Sequence, residues 1–395
     1  MYRVSMSLTG LPFSLPLLKG TPAGGEASAH TILLLLRSVL FYSGKRVCVI
    51  SEKEPPDVTI ASDADREAWD RFVDREGGSF FLYYDWKSVY EFKNQNRFLP
   101  LLIRDSNSAI TGIFPLVEQK ASRIYPWLSS LPEGPTGGFL LSRSLDEEEK
   151  KQNLRLFFSF IEKTYSRTHS LITLNEQIPP EQGSPAPTPA LLENGYTWSD
   201  NASSRLPCTH YLKLEQPFEE KIWKARWSGK LRQQVRHARK NGAEVLIDDK
   251  FAYLDDFLEM QLHTNKKFGG GIDRDRIVHL FAVFQKRIQL FIGFLDAQPI
   301  SAALCFYTPT TAYLSKAPYL PVARKHDTNT LPVCSSIEYA CNASYRYYEM
   351  GVTTTPDLAS YKEKFGAVRM PLRRYTKKLS YFKFFMNKTY GFIMD

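Results

Sequence analysis

Two hairpins of one plan, set far apart in a chain of 395 residues, constrain this fold more than any other feature. In FLPLLIRDSNSAITGIFPLV (98–117) an apolar run, a polar turn and a second apolar run follow one another. QLFIGFLDAQPISAALCFY (289–307) repeats that order, with Asp105 matching Asp296, Ile110 matching Ile300, Thr111 matching Ser301 and Gly112 matching Ala302. The flanks repeat too. Helical periodicity precedes the first hairpin over 63–74 and 85–96, and the second over 253–268 and 273–286. Each hairpin is followed by a strand (near 123–131 and 312–319), a helix (146–165 and 332–345) and a short strand (170–175 and 347–350). One hairpin can recur by chance, but a whole series of elements in one order marks a duplication.

The repeat predicts an α/β (α+β) protein of two tandem units, each a mixed, mainly antiparallel sheet flanked by helices, with a crevice between them. The expected boundaries are 55–205 for the first unit and 206–380 for the second, with an N-terminal extension over 1–54 and a C-terminal tail over 381–395. A Pro-rich breaker, QIPPEQGSPAPTP (177–189), interrupts the first unit. The apolar run HTILLLLRSVLFY (30–42) is shorter than the roughly twenty residues a membrane span needs and is broken by Arg37. No transmembrane span is expected, and the reading is cytoplasmic. Five cysteines without CxxC spacing or a neighbouring histidine read as buried thiols in a reducing compartment, so no metal is expected.

The formal net charge is +9, which favours an anionic partner. Much of it gathers in SGKLRQQVRHARKNGAEV (228–245). Leu231, Val235 and Ala238 form a narrow apolar stripe, and Arg232, Arg236 and Arg239 repeat its spacing one residue on. Lys230 lies beside them, and Asn241-Gly242 stops the helix where the second unit's first strand begins. The guanidiniums are therefore expected to line the crevice between units, where their forks suit carboxylate or phosphate. A solvated basic face and a nucleic-acid contact are the other readings of the same stretch.

A β-α-α-β-β-β-α-β order is the plan of GNAT acyltransferases, and two tandem copies resemble their FemAB-like branch over residues 55–380. The pieces that carry the resemblance are FFLYYDW (80–86), SSLPEGPTGGFL (129–140), THYLKL (209–214), GKLRQQVRHARKNGAEV (229–245) and LASYKEKFGAVRMPL (358–372). It implies an N-acyltransferase that takes an acyl or aminoacyl group from acyl-CoA or aminoacyl-tRNA. The acceptor it implies is an amine on an anionic small molecule or an envelope or polysaccharide-type precursor. It places Lys362, with Tyr361 beside it, near the substrate cleft, and marks Trp86 and Tyr90 as substrate contacts. Peptidoglycan-bridge members carry Lys where this chain has Tyr90. The Gly-based pyrophosphate cradle of CoA-dependent members is missing from ARKHDTNTLPVCSS (323–336).

Direct attack by an amine needs a proton acceptor but no nucleophile triad. Glu349 and Asp357, at the end of the strand 347–350 and just beyond it, are the candidate bases. Two other functions remain open on sequence: a nucleic-acid-binding module using residues 229–240, and a catalytically inactive interaction protein. Against the first, and against a DNA partner, the basic helix has no helix-turn-helix mate, zinc spacing or RNP-type strand.

Overall fold

The two hairpins are the spines of two mixed sheets in the computed structural model of the protein, which describes residues 57–389 except 95, 120–123, 131–136, 177–187, 200–207 and 268. The expected N-terminal extension, the Pro-rich breaker and part of the Gly-rich stretch at 129–140 lie outside the described residues.

The first half supplies β1 (Val58–Ile60), β2 (Asn96–Arg104), β3 (Ile110–Gln119), β4 (Trp127–Ser129), β5 (Leu140–Leu141), β6 (Leu171–Glu176) and β7 (Thr197–Ser199). The second supplies β8 (Cys208–Lys213), β9 (Glu244–Asp248), β10 (Ile288–Leu295), β11 (Gln298–Tyr307), β12 (Thr311–Lys316), β13 (Tyr347–Glu349), β14 (Val368–Pro371) and β15 (Arg373–Lys378). The helices used below are α1 (Arg66–Glu76), α2 (Trp86–Tyr90), α3 (Glu147–Tyr165), α4 (Gly229–Lys240), α5 (Leu254–Lys266), α6 (Arg274–Phe284), α7 (Leu331–Asn342), α8 (Pro356–Glu363) and α9 (Tyr381–Thr389).

One sheet runs β1-β2-β3-β4-β6-β15-β7, with β5 on β3, and the other runs β9-β10-β11-β12-β13-β8-β14. The two orders superpose strand for strand. Each contains one parallel pair, β4 with β6 and β12 with β13, joined through the long helix α3 or α7. The hairpin turns differ locally. Asp296 and Ala297 both take positive φ (51° and 60°), the two-residue turn whose twist suits a hairpin. At the matching place the Asp105 carboxylate accepts the amides of Asn107 (2.8 Å) and Ala109 (2.9 Å).

The superposition exposes an exchange. β15, from the end of the chain, sits between β6 and β7 of the first sheet. β8, which follows the first half directly, sits between β13 and β14 of the second. Residues 373–378, expected in the unit 206–380, therefore complete the first sheet, and residues 381–389, expected as a tail, form α9.

Period-two alternation sends β10, β11 and β12 into two cores. Leu290, Ile292, Leu304, Phe306 and Tyr313 face a seam against the first half. Phe291, Ala303, Cys305 and Ala312 face the opposite side, with the apolar stripes of α4 and α7. At the seam the run Phe80–Leu82 enters as a single 3₁₀ turn, buried throughout. Phe80 stacks on Phe306 with centroids 4.4 Å apart and lies 4.9 Å from Phe284. Arg287 Nη1 donates to the Tyr83 hydroxyl at 2.6 Å across the same seam. Phe80→Ala would empty a site shared by both halves, so we expect a loss of about 3–5 kcal/mol. Urea unfolding followed by tryptophan fluorescence should show one transition at a lower midpoint; a first half that melts separately would contradict the shared seam.

Candidate active site

β12 and β13 pair only over Thr311↔Tyr347, Ala312↔Tyr348 and Tyr313↔Glu349. Beyond that, β12 continues to Lys316 while β13 stops, and Gly351 turns the chain away at φ 74°. A Cβ on Gly351 would stand 2.9 Å from the Leu314 carbonyl oxygen, so no side chain fits at this close crossing. The two parallel neighbours thus part at their carboxyl ends, the place where open α/β sheets hold ligands. A cavity of about 610 Å³ fills the gap. Leu314, Ser315 and Lys316 form one wall, and Glu349, Gly351 and Val352 the facing one. Phe81, Trp86 and Val89 close it from the first half, and Phe257, Gln261 and Arg276 from α5 and α6. The expected crevice between the halves is this cavity.

Glu349 is the buried acid of its wall; the other acid in the lining, Asp273, is exposed and caps α6 by accepting the Arg276 amide. Register places Glu349 beside Tyr313 and across from Tyr211 of β8, and only 1% of it is exposed. The Thr209 hydroxyl donates to its carboxylate. Burial pushes the Glu349 carboxyl above the usual carboxylate range, opposed by the nearby Lys362 ammonium and the Gly351 amide. Burial also pulls the Lys362 ammonium below the usual lysine range, opposed by Glu349. Lys362 Nζ donates to the carbonyls of Gly351 (2.6 Å) and Val352 (3.0 Å) and to Thr353 Oγ1 (2.9 Å). Its three protons are all used within the turn that follows β13. Thr353 Oγ1 is in turn 3.0 Å from Nδ1 of the buried His210, whose imidazole is held below its usual value by burial and by Lys362.

These positions sort the sequence candidates. Glu349 and Trp86 line the cavity, and Lys362 sits directly behind it. Lys362, expected as a substrate contact, is 3% exposed and fastens the turn below Glu349. Tyr90 stands in the seam core behind Trp86, its ring parallel to Phe98 at 6.2 Å, and does not line the cavity. Tyr361 packs edge-on against Phe365 at 5.3 Å and faces the second core. Asp357 is exposed in the first turn of α8, away from the cavity lining.

The arginine stripe is elsewhere. The apolar stripe of α4 packs in the core on the far face of the second sheet, so its cations point away from the crevice they were expected to line. Arg232 Nη1 donates to the carbonyls of Trp223 (3.1 Å), Lys224 (2.8 Å) and Trp227 (3.0 Å), closing the end of the π-helical turn Glu219–Lys224. Arg236 lies over the Trp223 ring at 5.7 Å, Arg239 is 3.6 Å from Glu338, and Lys230 is exposed. Sequence reasoning passed over Thr209, Tyr313, Lys316 and Arg276. Thr209 opens the quoted THYLKL strand two residues before Tyr211, the register partner of Glu349, and so shares that face of β8; nothing in the sequence alone signalled it.

Neither long helix fits the pyrophosphate of coenzyme A. The first turn of α7 is buried through Leu331, Pro332 and Val333, and Pro332 has no amide hydrogen to offer. At α3, Asp146 and Glu149 take each other's amides at 2.8 and 2.9 Å, and Glu147 and Glu148 add negative charge that repels a phosphate.

Residues 225–363 match the family model described as an acetyltransferase (GNAT) domain. That match spans α4 to α8 and includes Glu349 and Lys362. The fold matches the crystal structure of FemX, with TM-score 0.63 at 13% identity, over 81% of this chain and 96% of that one. Residues 225–363 thus match an acyltransferase domain of the GNAT type, and the two halves together share the tandem fold of FemX. A protein of unknown function from Bacteroides thetaiotaomicron is similar too, with TM-score 0.53 at 13% identity over 81% and 98% of the two chains. A tandem GNAT protein from the clavulanic acid biosynthesis pathway gives 0.50 at 13% identity, over 83% and 99%. No curated protein sequence matches.

Two substitutions on α4 test its placement in this acyltransferase. Arg232→Ala leaves carbonyls of the preceding turn without their charged donor and should cost about 1–3 kcal/mol. Arg236→Ala, on an exposed side chain, should stay within about 0.5 kcal/mol. Equal thermal midpoints for both variants would refute the capping role of Arg232.

Proposed function

We propose that the protein is an N-acyltransferase in which Glu349 takes the proton from an attacking amine inside the cavity where β12 and β13 part. The observation that carries this reading is the Glu349 carboxyl itself: buried, on the cavity wall, and raised by burial toward a working pH. An acceptor ammonium loses its proton to that carboxylate, and the free amine attacks the donor's acyl carbonyl. A C–N bond forms, the ester or thioester bond breaks, and the leaving oxygen or sulfur takes a proton. Thr209 orients the base. Lys362 keeps its ionised form accessible despite burial, since the nearby positive charge opposes the desolvation cost.

Of the two donors implied by the FemAB resemblance, the misfit of pyrophosphate at α3 and α7 favours an aminoacyl ester, as on tRNA. The acceptor we infer is an amine on an anionic envelope or polysaccharide-type precursor, with Lys316 and Arg276 in the cavity wall to meet its charge. The four cysteines among the described residues are buried free thiols, which supports a cytoplasmic reaction. The described residues contain no helix long and apolar enough to cross a membrane.

The test is transfer from aminoacyl-tRNA and from acyl-CoA to amine acceptors across a range of pH. A base must be ionised, so the rate should rise with pH through the raised Glu349 pKa and level off above it. Glu349→Gln should lower the rate about 10²–10⁴-fold with donor binding kept, and should erase that limb. Lys362→Met should move the limb to higher pH, because the charge that opposes the rise is gone. It should also cost about 3–5 kcal/mol of stability. A Glu349→Gln enzyme with an unchanged rate and pH profile would remove Glu349 from the chemistry.

A further inference from the structure

Helix α9 is built inside out. Its buried residue is Asn387, whose amide donates to the Tyr125 carbonyl (2.9 Å) and to Ser170 Oγ (3.2 Å) and accepts the Tyr125 amide (3.1 Å). Tyr381, Phe382 and Phe385 turn outward instead, 67%, 66% and 57% exposed. Ile124, next to the anchoring Tyr125, is 45% exposed. A helix whose outer face meets only water turns its apolar face inward and its polar residues out. The reversed arrangement suits an outer face that meets something less polar than water.

The charge says what that is. Between Glu363 and Asp395 the chain has no acidic side chain, while Lys and Arg recur throughout. Lys378 Nζ lies over the rings of Tyr381 (5.2 Å), Phe384 (4.5 Å) and Phe385 (5.8 Å), and Lys383 lies over Tyr125 (5.6 Å). Aromatic rings set among lysines, in a stretch of chain that carries no acid of its own, match a layer that is apolar beneath and anionic at its surface. A second copy meeting this face with its own would bring like charges together.

We propose that α9 docks on an anionic membrane surface. Tyr381, Phe382 and Phe385 enter the headgroup layer, and Lys378 and Lys383 reach its phosphates with their stems along the apolar face. This surface is independent of the transfer reaction, and its test needs no turnover.

The full chain is mixed with vesicles of phosphatidylcholine, with or without phosphatidylglycerol, and sedimented. It should partition onto the mixed vesicles and leave them as salt is added. The double substitution Phe382→Ser with Phe385→Ser should reduce partitioning roughly tenfold or more. Lys378→Glu with Lys383→Glu should reduce it by roughly fivefold or more per lysine. Thermal midpoints should not move, since these side chains point outward. In a variant carrying Phe382→Trp, the emission should shift to the blue on adding mixed vesicles. No partitioning, or partitioning that survives Phe382→Ser with Phe385→Ser, overturns the proposal. So does loss confined to Leu34→Arg with Leu35→Arg, which would assign the contact to the apolar run at 30–42. A dimer in light scattering that the serine variant abolishes, with no vesicle binding, would assign the face to a second copy.

Discussion

The stack of Phe80 on Phe306 holds the two halves at the spacing everything else uses. Around it Phe284, Trp86 and Phe81 close the seam with rings at mixed angles, burying large apolar area at little cost in side-chain freedom. Trp86 belongs both to that packing and to the wall of the cavity. The cavity therefore has a rigid floor from one half and a polar rim from the other. The opening between β12 and β13 alone would be a shallow notch in a sheet edge; the aromatic seam makes it a chamber.

Within that chamber the electrostatics are held by backbone. A lone buried carboxylate would carry a large desolvation penalty, and a lone buried ammonium another. Here the ammonium of Lys362 is solvated by two carbonyls and a hydroxyl of a single turn, and the carboxylate of Glu349 by a hydroxyl and the Gly351 amide. Gly351 bears on both charges: its carbonyl accepts from Lys362, and its amide opposes the rise of the Glu349 carboxyl. Its positive φ is what lets one peptide turn face both ways while passing close under Leu314.

Local periodicity made the hairpins and the long helices legible, because each pattern is contained in a run of neighbouring residues. Glu349 was legible as an acid at a strand end. What failed was non-local. The stripe of Leu231, Val235 and Ala238 states that α4 has a buried side, but a sheet has two faces and the stripe does not say which one it covers. Arg232 looked like a ligand because a free guanidinium and one capping a turn have the same spacing in sequence. RRYTKK at 373–378 has a single apolar residue and suggested no core strand. Its buried Tyr375 and its pairing with β6 and β7 depend on a sheet formed by residues far upstream. Thr209 reaches Glu349 only because β8, far from it in sequence, inserts between β13 and β14.

The exchanged strands tie the protein's fate to the order in which a ribosome makes it. The first half emerges early, yet the slot between β6 and β7 stays open until the last strand has been translated. Through that interval it presents two unpaired edges, a state that invites association with other chains and with chaperones. A stop codon or frameshift a few codons after residue 371 would leave the cavity lining and Glu349 fully encoded. It would still cripple the half of the molecule written farthest from the lesion.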